Sequence, residues 1–275
     1  MGRRSRAQAA AHREAAGLVG LRRDLTEEEK LFVLTAFQES TSATQSPDGA
    51  FLTPPGLARD MAIEVVGTRV IDLGAGIGSL AFACRNPYGQ ADGDPARELV
   101  CVERNPEFVR IGMKIVPEAT WVCGDLLEVH RNRIRLFDTA VANPPFGAHA
   151  HSGNAPGYRG SRFEYHAIAL AAHLARHGVF LIPQQSAPLR YSSRPVMEHR
   201  ADDECLRFQS GTGITMKPSC GIDTSYYAED WHHPPVVTEV VTTDFADTAI
   251  ARRRRSRASV TQIGQPFTRP IRAAS

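Results

Sequence analysis

Apolar residues fall along this chain in two rhythms that alternate. Short runs at residues 68–74 (TRVIDLG), 98–104 (ELVCVER), 119–125 (ATWVCGD), 136–142 (LFDTAVA) and 178–183 (GVFLIP) read as strands. Runs with so few polar breaks suit strands buried on both faces, as in a parallel sheet. Between them lie helical patterns: SLAFACR after the first run, PEFVRIGMKI after the second, and SRFEYHAIALAAHLARHG over 161–178 before the fifth. For that last helix, Ser161 and Glu164 fit a capping box and Gly178 a C-terminal stop. Upstream, Leu31, Val33, Leu34 and Phe37 hold helical spacing behind a second capping box, Thr26 with Glu29. Residues 41–50 read as a loop, and FLTPPGLARDMAIEV as a helix opened by prolines. VVTEVVTTDF (236–245) predicts a late antiparallel strand, paired near GITMK (213–217). Residues 184–210 and 218–235 carry no clear period, and no internal repeat is present. The expectation is an α/β fold: a mostly parallel sheet with helices on both faces and one late antiparallel strand.

Composition narrows the class. At 275 residues and 42% hydrophobic content, the chain can bury a full core. Five widely spaced cysteines (Cys84, Cys101, Cys123, Cys205, Cys220) form no C-x-x-C pair. That argues against a disulfide framework or zinc knuckle and for a reducing cytoplasm. No apolar stretch reaches membrane-spanning length, and charges interrupt AQAAAHREAAGLVGL where a signal peptide needs an unbroken apolar segment. A soluble cytoplasmic protein with no membrane partner is expected. His149, His151, His232 and His233 have no carboxylate or cysteine at ligand spacing, so no metal site is expected.

Charge divides the chain further. The net charge of +2 splits into +5 over residues 1–23, +7 over residues 251–275 and −10 over the rest. The predicted organisation is a flexible basic arm (1–23), an accessory helix (24–48), a main domain (49–247) and a disordered basic tail (248–275). Basic arms suit a polyanion such as nucleic acid, through phosphate contacts that release counterions. Solubilising tails would have the same composition.

Ligands of open α/β sheets sit beyond the carboxyl ends of the strands. In DLGAGIG, Gly74, Gly76 and Gly78 follow a strand and precede a helix, a turn that lets a ligand approach the backbone. The absence of G-K-[ST] excludes a P-loop, and G-x-G-x-G is not the dinucleotide spacing. Glu103 ends the second strand, where a carboxylate binds ribose hydroxyls or caps the next helix. Asp125, after the third, suits an adenine amino group or the N-cap of its own turn. The fourth strand stops in Asn143-Pro144-Pro145-Phe146, because proline cannot donate to a ladder.

This order of residues, Asp72-x-Gly74-x-Gly76-x-Gly78, Glu103, Asp125 and the N-P-P-F corner, resembles the class I S-adenosylmethionine-dependent methyltransferases with their Rossmann-like fold. Within them it is similar to the N6-adenine amino-methyltransferases, whose signature is [ND]-P-P-[FYW]. FLTPPGLARDM resembles the threonine-proline segment of bacterial DNA adenine methylases. YRGSRFEYHAIAL, GVFLIPQQSAP and CGIDTSYYAEDWHH are loosely similar to methyltransferases of plasmids and phages. The resemblance covers residues 49–183, and the main domain becomes a methyltransferase catalytic domain. It implies S-adenosyl-L-methionine as cofactor: Asp72, Gly74, Gly76 and Gly78 at its methionine part, Glu103 at the ribose, Asp125 at the adenine, Thr53 and Pro54 at the carboxylate. Asn143, Pro144, Pro145 and Phe146 would then be catalytic. The Asn143 side-chain carbonyl and Pro144 backbone carbonyl would accept from the target amine, and Phe146 would stack on a flipped base. DNA is the favoured substrate. RNA adenine, a protein glutamine amide and a non-catalytic nucleic-acid-binding relic are the alternatives. Tyr226, Tyr227, Trp231 and RFEY (162–165) could add stacking surface, and Arg159 and Arg162 could contact phosphate. Sequence specificity is expected from residues 148–160, 184–235 or the arms.

Overall fold

The structure, a computed structural model, describes residues 6–38, 51–85, 96–131, 135–148, 153–232, 236–246 and 248. Its centre is a seven-stranded sheet in the order β3-β2-β1-β4-β5-β9-β8. The strands are β1 (Arg69–Leu73), β2 (Glu98–Glu103), β3 (Thr120–Cys123), β4 (Phe137–Ala142), β5 (Ala175–Pro183), β8 (Lys217–Pro218) and β9 (Thr238–Asp244). β1 to β5 pair in parallel, while β9 runs antiparallel to both β5 and β8. The late strand and its partner near residue 217 are as predicted. A separate two-stranded ribbon joins β6 (Leu189–Arg190) to β7 (Glu198–His199).

Strand order reverses between β1 and β4, and their carboxyl ends diverge there to leave a crevice. Because successive side chains alternate, each central strand feeds two cores. Val141 packs on one face among α3 (Pro55–Ala62), α4 (Ser79–Cys84) and α5 (Pro106–Ile115). Ala140 and Ala142 pack on the other, under α6 (Phe163–Ala171) and α7 (Asp203–Thr212). No helix among the described residues is long and apolar enough to cross a membrane.

Several expectations change. The first arm is not wholly flexible: α1 (Arg6–Val19) buries Ala15 and Val19. It docks on α2 (Glu27–Ala36) through the edge-on contact of His12 with Phe37. Lys114 Nζ donates to the carbonyls of Leu21 and Arg23, fastening the connection. The capping box of Thr26 and Glu29 is formed; that of Ser161 and Glu164 is not. α6 starts one residue later, and Glu164 reaches elsewhere. This helix also ends at Ala171 rather than Gly178, because residues from Ala175 onward pair with β4. Gly178 lies inside β5, where a Cβ would collide with the Phe180 ring. The tail 249–275 lies outside the described residues.

Candidate active site

The glycine turn after β1 is a backbone construction. Gly74, Gly76 and Gly78 have φ of +78°, +56° and +94°, which side chains beyond glycine rarely adopt. The amides of Gly74 and Ala75 both donate to the Val102 carbonyl, binding the turn to the end of β2. Gly76 N–H donates to Glu103 Oε2 at 2.8 Å, and Asn105 N–H to Oε1 at 2.8 Å. Burial raises the Glu103 pKa, opposed by these backbone donors. Asp72 is fully buried behind the turn. One of its oxygens accepts from Ala81 N–H in α4, and the other has no partner among the described residues. Burial lifts its pKa to about 7, so the carboxyl exchanges its proton near neutrality.

Asp125, half-buried after β3, accepts from Leu127 N–H at 2.9 Å and so caps the 3-10 turn Leu126–Arg131. The ends of β3 and β2 are tied by Gly124 N–H to the Glu103 carbonyl. Glycine turn, Glu103 and Asp125 therefore line neighbouring strand ends.

The corner after β4 joins this row from the other side of the crevice. Asn143 is buried, and its Nδ2 donates to the Phe51 carbonyl at 2.7 Å and to Thr53 Oγ1 at 3.0 Å. Thr53 in turn accepts from Ser79 Oγ through its carbonyl, at 2.7 Å. The Phe51–Pro54 segment is thus clamped between the corner and the first turn of α4. Asn143 Oδ1 is buried with no hydrogen-bond partner among the described residues. Its direction is dictated by chemistry: a flipped amide would set an oxygen against the Phe51 carbonyl.

Phe146 leaves the corner half-buried, its ring centroid 5.6 Å from that of Phe51, and Trp231 stands edge-on to Phe51 at 6.3 Å. Of the aromatic candidates, only Trp231 reaches this wall. Tyr226 is 85% exposed, Tyr227 bonds Asp60 over Gly56, and Phe163 and Tyr165 are core. Pro144 and Pro145 carry the chain stiffly to Gly147, whose φ is +77°. Gly147 N–H donates to buried Glu164 Oε2 at 2.9 Å, while Ser186 Oγ donates to Oε1 at 2.6 Å. Neither Glu164 nor Phe51 was a candidate from sequence. Glu164 was visible only as a cap, and nothing but its place beside Thr53 marked Phe51.

Arg162 does not face a ligand. Its guanidinium is taken up by both oxygens of Asp202, by Glu204 Oε2 and by the Tyr165 hydroxyl. Of the four histidines considered for a metal, His149, His151 and His233 lie outside the described residues.

No protein-family model matches the sequence, and no curated protein matches it. Solved structures do match in shape. The assigned modification subunit of a type I restriction enzyme from Vibrio vulnificus superimposes with a TM-score of 0.54 at 14% identity, over 82% of this chain and 51% of its own. The type I restriction-modification methyltransferase subunit of Streptococcus thermophilus gives 0.52 at 14% identity, over 81% and 51%. A protein of Listeria monocytogenes assigned to the class I S-adenosylmethionine-dependent methyltransferases gives 0.52 at 11% identity, over 80% and 68%. The chain spans about half the length of the two restriction-modification subunits. It has the Rossmann-like fold of the class I methyltransferases.

Proposed function

We propose that this protein is an S-adenosyl-L-methionine-dependent methyltransferase that modifies the exocyclic N6 amine of adenine in DNA. The observation that carries this reading is Asn143 Oδ1, a buried acceptor with no donor among the described residues, in the corner after β4. Such an atom costs about 1–3 kcal/mol, which a substrate N–H would return.

The residues present fit the cofactor. Three left-handed glycines make a tight backbone turn, Glu103 lies at the next strand end, and Asp125 stands one strand further. Thr53 and Pro54 sit across the crevice, locked to Asn143 and Ser79. When bound, S-adenosyl-L-methionine supplies an electrophilic methyl on a sulfonium.

The chain's own contribution is to prepare the amine. An adenine amine is a weak nucleophile because its lone pair is spread into the ring. Asn143 Oδ1 and the Pro144 carbonyl would accept its two N–H groups and favour a tetrahedral nitrogen whose lone pair is free to attack. Phe146 and Phe51 supply apolar ring faces for an extruded base. Rigidity matters because an in-line transfer draws its rate from positioning. The double proline and the Glu164 bond to Gly147 supply that rigidity.

Likeness in shape to two restriction-modification methyltransferase subunits favours DNA, and the arginine-rich residues 251–275 suit a polyanion. The test is mass spectrometry of nucleosides from a methylation-deficient host with and without this protein. New N6-methyladenine in DNA is expected. Signal confined to RNA would move the substrate to RNA, and no signal in either would overturn the adenine assignment.

A further inference from the structure

The two regions that the sequence offered as sources of specificity, residues 148–160 and 184–235, meet in the fold. The loop after the catalytic corner is closed at its base by a bridge between Ala148 and Arg162. Its far side, Asn154 to Gly160, faces α7 across an open cleft of about 790 Å³, lined also by Glu204 and Arg207. That volume is typical of ligand sites.

The cleft is built rigidly. Tyr158 on the loop packs edge-on against Phe208 of α7 at 5.4 Å between centroids, and Tyr165 stacks on Phe208 from beneath at 4.6 Å. The Tyr158 hydroxyl donates to Glu204 Oε1 at 2.6 Å. Gly160 has to be glycine, because a Cβ there would run into the Tyr158 hydroxyl and Glu204. Arg159, next to Tyr158, and Arg207, next to Phe208, both line the cleft.

The charges are sorted. Glu204, the acid that lines the cleft, is occupied by Tyr158 and Arg162, and Asp202 by Arg162, while Asp203 in the first turn of α7 is exposed and outside the lining. Arg159 and Arg207 are exposed, and neither guanidinium has a partner among the described residues. Arg162 therefore takes up Asp202 and Glu204, and the two guanidiniums that line the cleft remain for a ligand. A planar fork of donors on each suits a phosphate.

We infer that Arg159 and Arg207 form a phosphodiester-binding cleft that holds the backbone of the nucleic acid beside the base presented to Asn143. This rests on the nucleic-acid reading above and assigns the surface that positions that substrate. Phosphate contacts of this kind set register rather than read bases.

The test is binding of duplex DNA and of hairpin RNA across a salt series, with full-length protein. Arg159→Ala combined with Arg207→Ala should flatten the slope of log affinity against log salt by about two, close to one per lost phosphate contact. Arg159→Lys with Arg207→Lys should keep the wild-type slope. S-adenosyl-L-methionine affinity, measured by calorimetry, should stay unchanged in both variants and report that the fold is intact. If the alanine pair keeps the wild-type slope while the wild type methylates nucleic acid, the cleft assignment falls and the functional reading stands. A wild type that binds nucleic acid through these arginines without methylating it would leave the cleft and remove the functional reading. Wild-type protein that binds neither probe would overturn both.

Discussion

The two banks of the crevice are made in different ways. On the β1–β2 side the backbone holds itself: three left-handed glycines in five residues, two amides on one carbonyl, a single carboxylate bridging Gly76 and Asn105. Beyond β4 the chain is held by side chains. Buried Glu164 ties Gly147 to Ser186, and Arg162 joins Asp202 and Glu204. Buried Glu239 of β9 accepts from Gln184 Nε2, the amides of Tyr191 and Ser192, and Ser192 Oγ. A turn held by its own backbone has a fixed shape, which suits a constant ligand. A side-chain network can be rebuilt residue by residue, which suits the bank that meets a particular substrate.

Breaking the network should cost most. Glu239→Ala strands several buried donors at once and is expected to lower stability by about 3–5 kcal/mol, read from urea unfolding. A loss under about 1 kcal/mol would mean that water replaces the carboxylate and the network is not what holds this bank. Asn143→Ala comes next. If Asn143 prepares the amine as proposed, removing it should cost about 10²–10³ in rate. The drop is read from single-turnover methylation at saturating cofactor, because loss of its bonds to Phe51 and Thr53 should also weaken cofactor binding. Unchanged turnover would take the corner out of the chemistry.

On the backbone bank, Gly76→Ala imposes a left-handed alanine with Leu52 Cδ2 only 3.1 Å from the new Cβ. Stability should drop by about 1–2 kcal/mol, and calorimetry should show weaker cofactor binding. Equal affinity would mean that the turn is a packing device alone. A pH dependence is expected from Asp72. Burial raises its pKa from 3.8 to about 7, so the folded state keeps a proton that the unfolded chain has lost. Its contribution is fully present below the unfolded pKa and disappears as pH rises through the folded one. The protein should thus lose stability progressively between about pH 4 and about pH 7, and Asp72→Asn should remove that slope. A wild-type curve flat over this range would show the carboxylate already ionised.

The same contrast explains what could be read from sequence. The glycine turn, the five parallel strands and the N-P-P-F corner are written in consecutive residues, and their places in the fold follow from apolar runs and from what glycine and proline permit. α7 is bounded by signals of the right kind, Asp202 accepting from Cys205 N–H and Gly213 at φ +72°. Yet it buries only Cys205, Phe208 and Thr212, too sparse a stripe to announce a helix. The end of α6 was misjudged because AHLARHG continues a helical rhythm, and pairing of Ala175 with Phe137 overrides it. Glu164 has the look of a cap residue, and its real partners lie 17 and 22 positions away. Contacts of that span leave no trace in local pattern.

The sheet's last strand has one more consequence. β8 is only Lys217 and Pro218, laid against Val241 and Thr242. Proline brings no amide hydrogen to an incoming strand, and lysine puts a charge on the rim. The upper part of β9 is covered as well, since the Thr224 hydroxyl donates to the Thr238 carbonyl. This margin of the sheet therefore resists edge-to-edge growth into fibrils, a safeguard for a chain whose central strands are largely buried.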